Sequence, residues 1–351
     1  MIPEHWQELA LAPPRAAPGP RVKASLRREP EDFVVVERLG FEPSGSGEHV
    51  LLKVRKRGAN TGWVARELAA LAGARPQDVG YAGLKDRQAV ATQWFSVPGR
   101  RRPAADWQGL GGEGFEVVEA HPHSRKLPRG ALAGNHFTLR LRDVQGGRTD
   151  LERQFARAAA EGVPNAFGPQ RFGRELSNLA ALLSLPAGRA PARFLLSTAR
   201  SLIFNAVLAA RVRDGSWNRL LPGDRANLDG RNSVFSVAAP DDELERRLAE
   251  LDVHPSGPLW GRGDPGLGPG PAALEASIAA AFPEALAAIE AGRVEAARRP
   301  LRLAVRDLQL EWLEPTGDCR VSFALRSGSY ATAVIRECVD ADGVPQEGDD
   351  D

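Results

Sequence analysis

The feature that most constrains this chain is the separation of strand-like and helix-like segments along its 351 residues. Short β-branched runs such as EDFVVVE (31–37) lie in the first part, and NHFTLRLRDV (135–144) alternates apolar and polar residues like a half-buried strand. From about residue 151 the pattern turns helical, with its longest stretch at 192–215, and β character returns after residue 300. This order predicts a helical module inserted into a β-rich domain, although two consecutive domains fit it as well.

Length and residue usage narrow the class of protein. A chain of 351 residues predicts two domains. No run approaches the roughly 18–20 apolar residues that a membrane span needs, and the N-terminus MIPEHWQELALAPPR lacks the pattern of a secretory signal. Cys319 and Cys338 give neither a disulfide framework nor a metal-ligand spacing. We therefore expect a reduced, cytoplasmic protein without a membrane partner.

The charge is nearly balanced overall, at +1, but unevenly distributed. All five lysines lie in the first 130 residues, together with the basic runs KVRKR (53–57), GRRR (99–102) and HPHSRKLPR (121–129). Local basic patches can attract nucleic acid without a basic protein, although most charge runs are simply solvated surface.

Several common chemistries lack their motifs. The sequence has no GxxxxGK[ST] phosphate loop, no GxGxxG after a strand and no GxSxG elbow. His121 and His123 form an HxH pair without a further nearby ligand. These absences disfavour nucleotide-driven, metal-driven and serine-hydrolase chemistry, so we expect neither a cofactor nor a metal.

One carboxylate stands out in GYAGLKDRQAVATQWFSV (80–97), where Asp86 lies between Lys85 and Arg87 in a turn that follows Gly83. Neighbouring positive charge favours the ionised form, which can act as a nucleophile or base without a cofactor. GLKDR alone is a weak motif, and a solvated turn is its ordinary interpretation.

The segment AGLKDRQAVATQWFSV resembles the catalytic motif of the TruD family of tRNA pseudouridine synthases. Further blocks resemble those of the family and follow in its order: residues 28–69, RKLPRGALAGNHFTLRLRDV (125–144), GVPNAFGPQRFGRE (162–175), ARSLIFNAVLAARV, EAARRPLRL and RSGSYATAVIREC. The resemblance covers nearly the whole chain.

The resemblance implies a fold and a domain organisation. The expected class is α+β, with a pseudouridine synthase catalytic domain on a mostly antiparallel mixed sheet. This domain is discontinuous, at 1–161 and 303–351. A helix-rich α/β TRUD domain is inserted at 162–302 and forms a cleft, and Arg171 within it is expected to hold the module together. Residues 346–351 form an acidic tail that we expect to be disordered.

The resemblance also implies an activity, the isomerisation of uridine to pseudouridine in tRNA, typically at uridine-13. Asp86 is then the catalytic nucleophile and Arg27 its ion-pair partner. The expected substrate-binding residues are Phe33, Asn135, Phe137 and Tyr330. Core packing is the alternative for Phe33, a surface charge for Arg27, and a turn residue for Asn135. The family usually has GSFAT where this chain reads GSYAT, so the Tyr330 hydroxyl is a departure.

We expect the protein to act on tRNA as a monomer, and two other functional classes compete with that of an enzyme. A non-catalytic RNA-binding protein would not require Asp86 with basic, Asn and aromatic partners. An RNA hydrolase would need a second acid or a carboxylate cluster for metal, whereas GLKDR supplies one carboxylate.

Overall fold

The computed structural model describes residues 1–17, 22–186, 188–231 and 233–342, so the predicted tail at 346–351 lies outside the described residues. The chain divides into two compact units. The sheet unit comprises Val22–Gly146, Arg306–Ser329 and Asp340–Asp351. The helix-rich unit comprises Met1–Arg21, Gly147–Val305 and Tyr330–Val339.

Helices and strands are numbered in chain order over the described ranges. The helices are α1 Glu4–Leu11, α2 Thr61–Ala72, α3 Arg148–Glu161, α4 Ser177–Leu183, α5 Arg193–Arg213, α6 Asp242–Ala249, α7 Pro269–Ala279, α8 Pro283–Gly292 and α9 Ala331–Cys338. The strands are β1 Lys23–Ser25, β2 Phe33–Leu39, β3 His49–Arg57, β4 Gly80–Tyr81, β5 Val90–Pro98, β6 Gly111–Gly112, β7 Phe115–His123, β8 Leu132–Gln145, β9 Val163–Pro164, β10 Arg225–Leu228, β11 Val234–Ser236, β12 Val253–Leu259, β13 Ala297–Pro300, β14 Arg302–Leu303, β15 Arg306–Leu313, β16 Asp318–Arg326 and β17 Asp340–Asp342.

The sheet unit is built on one mixed sheet with the strand order β15-β16-β8-β2-β5-β3-β7-β6. Its neighbours are mostly antiparallel, and β2 and β5 form a parallel pair at the centre. Val35 lies opposite Phe137 on β8 and opposite Ala91 on β5, which fixes the register of these three strands. The predicted α+β class on a mostly antiparallel mixed sheet is confirmed.

Helix α2 covers part of one face of this sheet. Its apolar residues Val64, Leu68 and Ala72 recur every four positions and pack in one core with Leu52 and Phe95 of the sheet. The helix ends at Gly73, whose φ of 59° is the left-handed conformation that glycine adopts without steric cost. Helix α2 therefore covers the core side of the sheet next to the turn that holds Asp86.

Helix α5 is the centre of the helix-rich unit and is buried along most of its length. Asn205 in its middle donates to the carbonyls of Leu9 and Phe167 at 2.9 Å each and accepts from the Phe167 amide, so its polar atoms are satisfied. Contrary to expectation, α5 is long and apolar enough to pass a simple test for a membrane span. However, 72% of that apolar window is buried inside the protein, as in a core helix. Helices α7 and α8 are long and apolar enough only if the two, which are bent by 105°, are counted as one span.

The compact units and the predicted domains divide the chain on different grounds. The helix-rich unit includes Met1–Arg21 and Tyr330–Val339 besides the central segment, because these ends pack with it. Compactness reports contacts and not family domains, so the inserted TRUD domain at 162–302 within 1–161 and 303–351 stays a prediction.

A buried ion pair joins α7 to β13 in the helix-rich unit. Arg298 donates from Nη1 and Nη2 to the two carboxylate oxygens of Glu275 at 2.8 and 2.7 Å, and the two side chains are only 6% and 8% exposed. Burial raises the pKa of Glu275, and the Arg298 guanidinium opposes that rise. Removing one partner of such a pair leaves an uncompensated buried charge.

We expect Arg298→Met to destabilise the protein by about 3–5 kcal/mol at neutral pH, because the Glu275 carboxylate loses its cation. The pKa of Glu275 in the folded variant would lie even further above its ordinary value, so this loss should shrink as pH falls and grow as pH rises. Chemical denaturation at several pH values measures it. The matched control is Arg246→Met, whose exposed ion pair with Glu243 should contribute less than about 1 kcal/mol. Equal losses in both variants, or a loss independent of pH, would contradict this account.

Candidate active site

The turn that carries Asp86 connects β4 to β5. Two buried polar side chains, Thr61 and Gln93, hold it from the core side. Thr61 Oγ1, at the first residue of α2, accepts from the Lys85 amide at 3.0 Å and donates to Gln93 Oε1 at 3.1 Å. Gln93 Nε2 then donates to the Gly83 carbonyl at 2.6 Å. The backbone on both sides of Leu84 is therefore fixed by groups that have no contact with solvent.

A buried lysine adds a third anchor. Lys56 Nζ donates to the carbonyls of Ala59, Lys85 and Asp86 at 2.7, 2.9 and 2.9 Å. This ammonium thus donates to three backbone oxygens, of which those of Lys85 and Asp86 belong to the turn. The Lys56 side chain is buried, so it stabilises the turn from the core side.

Asp86 itself is ion-paired with Arg27 through Oδ2 and Nη1. Its Oδ1 accepts from the Gln88 amide at 2.8 Å. The Asp86 side chain is 18% exposed, whereas the Arg27 side chain is only 4% exposed. The acid is thus accessible while its cation is shielded from water, which strengthens the interaction between them.

Arg27 is held by both its backbone and its side chain. It has a φ of 57°, a left-handed conformation that is uncommon for a residue with a Cβ. The guanidinium carbon lies 3.9 Å from the centroid of the Phe33 ring. This cation–π contact orients the guanidinium towards Asp86.

The structure differs from the expectation that Lys85 and Arg87 hold Asp86 ionised. Lys85 Nζ lies 2.5 Å from Glu37 Oε1, and Arg87 Nε donates to the Gly58 carbonyl at 3.0 Å. Successive residues of a tight turn point in different directions, so adjacency in sequence does not give contact. The cation that contacts the acid lies 59 residues earlier in the chain.

Glu37 contacts Lys85 of this turn and was not predicted from the sequence. Its carboxylate is fully buried, with Oε2 accepting from the Trp94 amide at 2.8 Å. Burial raises the pKa of Glu37, and the charge of Lys85 opposes that rise. A signal was present, because Glu37 has the same parity as the apolar residues Phe33 and Val35 and so shares their inward face.

The predicted aromatic residues form a contiguous row on that face. Phe33 meets Phe137 edge-on, with ring centroids 6.0 Å apart, and Phe137 contacts Phe323 at 5.7 Å. Both predicted rings are buried. Asp86, Arg27, Phe33 and Phe137 are thus brought together by a continuous series of contacts.

Asn135 has an open acceptor. It lies opposite Glu37 on one neighbouring strand and opposite Leu325 on the other. Its Oδ1 is buried, and no residue in the described part of the chain donates a hydrogen bond to it. Such an unsatisfied acceptor is costly unless a ligand supplies the donor.

Tyr330 belongs to the helix-rich unit and not to the sheet unit that holds the other predicted site residues. It precedes α9 as its N-cap residue and is half-buried. Its phenol interacts electrostatically with Arg299 of the same unit.

No metal-binding group of three His, Cys, Asp or Glu side chains occurs within residues 1–17, 22–186, 188–231 and 233–342. His123 of the HxH pair is buried and stacks on Phe41, with ring centroids 5.3 Å apart. Its Nδ1 accepts from the Ser44 amide at 3.2 Å. The pair therefore has a packing role at one of its two positions.

Comparisons with known proteins agree with the sequence resemblance. The family model described as tRNA pseudouridine synthase D (TruD) matches residues 15–182 and 177–338. The chain is 46% identical to "tRNA pseudouridine synthase D" of Methylococcus capsulatus over 335 residues, covering 94% of each chain. It is also 46% identical to the protein of that name from Xanthomonas axonopodis pv. citri over 349 residues, covering 93% of this chain and 94% of the relative.

A solved structure shares the fold. The crystal structure of a putative tRNA pseudouridine synthase D (TruD) from Methanosarcina mazei matches with a TM-score of 0.75 at 20% identity. The match covers 96% of this chain and 98% of that one.

The anchoring of the turn gives a stability prediction. Thr61→Val keeps the shape of the side chain but leaves the Lys85 amide and the Gln93 amide oxygen without their buried partner, so we expect a loss of about 1–3 kcal/mol. Thr138→Val, at a half-buried position of β8, is the control and should change stability by less than about 0.5 kcal/mol. Urea denaturation of both variants measures the difference, and equal effects would show that Thr61 does not anchor the turn.

Proposed function

This chain belongs to the tRNA pseudouridine synthase D (TruD) family, and from that premise we propose that it converts uridine-13 of tRNA to pseudouridine with Asp86 as the nucleophile. Membership makes it an isomerase of tRNA modification. The observation that carries the proposed role of Asp86 is its accessible carboxylate, paired with an almost fully buried guanidinium on a turn fixed from the core.

The reaction moves the uracil from an N1–C1′ bond to a C5–C1′ bond. The C5 proton leaves and N1 ends with a proton, so no other group enters or leaves. An ionised carboxylate can attack C6 of the base or C1′ of the ribose, and either adduct keeps the base in the site while it turns. The ion pair with Arg27 places a fixed positive charge beside the proposed nucleophilic oxygen atoms of Asp86.

Arg27 is proposed to position the acid and not to react. Its contact with the Phe33 ring on one side and with Asp86 Oδ2 on the other leaves little freedom for the carboxylate to rotate. Orientation of this kind matters because a reacting oxygen must lie in line with its target atom.

Asn135 is proposed to recognise the uracil edge. Its buried Oδ1 accepts no hydrogen bond from the described residues, and the N3–H of uracil is a donor of matching polarity. Phe33 and Phe137 are proposed to contact the base, and Tyr330 is proposed to stack on it from the resemblance alone. A uridine within a folded tRNA must leave its stack at a cost of a few kcal/mol, which phosphate contacts and aromatic stacking can offset.

The first test is tritium release from tRNA transcripts labelled at C5 of uridine. Asp86→Asn keeps the size of the side chain but removes the nucleophilic charge, and we expect a rate loss of at least about 10²–10⁴-fold. The matched control is Asp106→Asn, an exposed aspartate of the same unit that should retain full activity. Binding of tRNA by the wild type without any release would instead indicate a non-catalytic RNA-binding protein.

The position of the target is tested with the same assay. A transcript with uridine-13 replaced by cytidine should release no tritium. A transcript in which a different uridine is replaced should still release tritium from uridine-13. Release from the cytidine-13 transcript at the normal rate would refute uridine-13 as the target and leave the synthase activity standing.

The open acceptor of Asn135 separates a binding role from a structural one. Asn135→Leu should lower kcat/KM by about 5–150-fold, because the uracil N–H would be buried without its partner. The free protein should be no less stable, since the variant removes an unsatisfied buried oxygen. Rates come from tritium release and stability from thermal unfolding. A large loss of stability with proportionate loss of activity would assign Asn135 to the scaffold.

A further inference from the structure

The helix-rich unit contains two arginines gathered on one aromatic ring. The guanidinium carbons of Arg299 and Arg171 lie 4.3 and 5.1 Å from the ring centroid of Phe167. Arg299 also contacts the Phe204 ring at 5.7 Å. Two cations therefore lie beside the ring of Phe167, which belongs to the hydrophobic core of this unit.

The hydrogen-bond partners of this pair are neutral. Arg299 Nη2 donates to Asn165 Oδ1 at 2.7 Å, and Arg171 Nη1 donates to Ser197 Oγ at 2.8 Å. Arg299 Nε is buried and makes no hydrogen bond. Over the described residues no carboxylate lies within ion-pair distance of either guanidinium.

Two other buried arginines of the same unit are neutralised. Arg298 is paired with Glu275, and Arg211 is paired with Asp224 at 2.9 Å. Arg171 and Arg299 differ from these two in having no carboxylate partner among the described residues, and from Arg200, which donates to the carbonyls of Leu259 and Glu295, in sharing one aromatic ring. The pKa of Arg299 is lowered to about 10, mainly by burial; Tyr330 opposes the shift and the nearby charge of Arg171 adds to it.

Keeping such charges partly buried without a counter-ion costs stability, which is reasonable where a ligand supplies the missing negative charge. Both residues keep part of their surface exposed to solvent, although Nε of Arg299 is buried. Arg171 sits in the turn Pro169–Phe172, and its carbonyl accepts from Thr198 Oγ1 at 3.2 Å. The backbone of Arg171 thus contacts α5, while its guanidinium retains free donors.

We propose that Arg171 and Arg299, ordered by Ser197, Asn165 and Phe167, form a binding site for a phosphate group of the RNA backbone. Guanidinium donors match phosphate oxygens in geometry and charge. A backbone phosphate carries no sequence information, so the site positions the RNA and does not read it. The choice of RNA as the source of this phosphate rests on the proposed function.

The salt dependence of tRNA affinity tests the site. Arg171→Gln should weaken binding of a tRNA transcript by about three- to tenfold near 0.1 M salt and reduce the slope of log K against log salt by about one. Arg171→Lys should restore most of the slope, because the charge returns. Arg246→Gln is the matched control, since it removes one arginine charge from the same unit where Glu243 and Glu250 already neutralise it. An unchanged slope in folded Arg171→Gln overturns the proposal.

A second measurement addresses the site without RNA. Sodium phosphate should raise the unfolding temperature of the wild type more than sodium chloride at equal ionic strength, and this difference should vanish in Arg171→Gln and Arg299→Gln. A phosphate effect together with an unchanged tRNA slope would assign the site to free phosphate and overturn the RNA assignment. Absence of tritium release by the wild type would refute the proposed function, whereas the slope and unfolding comparisons would still decide on this site.

Discussion

The contact of the Lys56 ammonium with three backbone carbonyls is the interaction on which the turn at Asp86 depends. A tight turn before β5 leaves carbonyls without ladder partners, and burial makes each unpaired one costly. Lys56 donates to two of them, the carbonyls of Lys85 and Asp86, from the core side of the turn. These carbonyls therefore need no water molecule as a hydrogen-bond donor. The acid at its tip can then remain accessible while its backbone behaves as part of the core.

Two ion pairs of different exposure lie at that turn. The pair of Glu37 and Lys85 is buried and stabilises the scaffold. The pair of Asp86 and Arg27 has one accessible member, Asp86. This arrangement suits the proposed nucleophile, because the cation paired with the acid is held by a ring and a constrained backbone while the acid itself stays accessible.

The helix-rich unit treats its charges differently. Arg298 and Arg211 are neutralised within the unit, as expected for cations that only stabilise a fold. Arg299 and Arg171 lack that compensation and are held instead by an aromatic ring and neutral oxygens. Arg200 of the same unit also lacks a carboxylate but donates to two backbone carbonyls, so what marks Arg171 and Arg299 is that both contact one ring, Phe167.

Local pattern alone determined the helices at 61–72 and 193–213, the alternating strand around Asn135 and the isolation of Asp86 in a glycine-punctuated turn. These features depend on residues a few positions apart, which sequence displays directly. Only the tertiary structure decided that Lys85 meets Glu37, that Lys56 supports the turn, and that Arg171 and Arg299 share Phe167. Local sequence pointed to the adjacent cations as partners of Asp86, and only the family resemblance pointed to Arg27. The reason is physical: strand order and register bring together side chains that lie tens of residues apart, and neither is encoded in the spacing of neighbours.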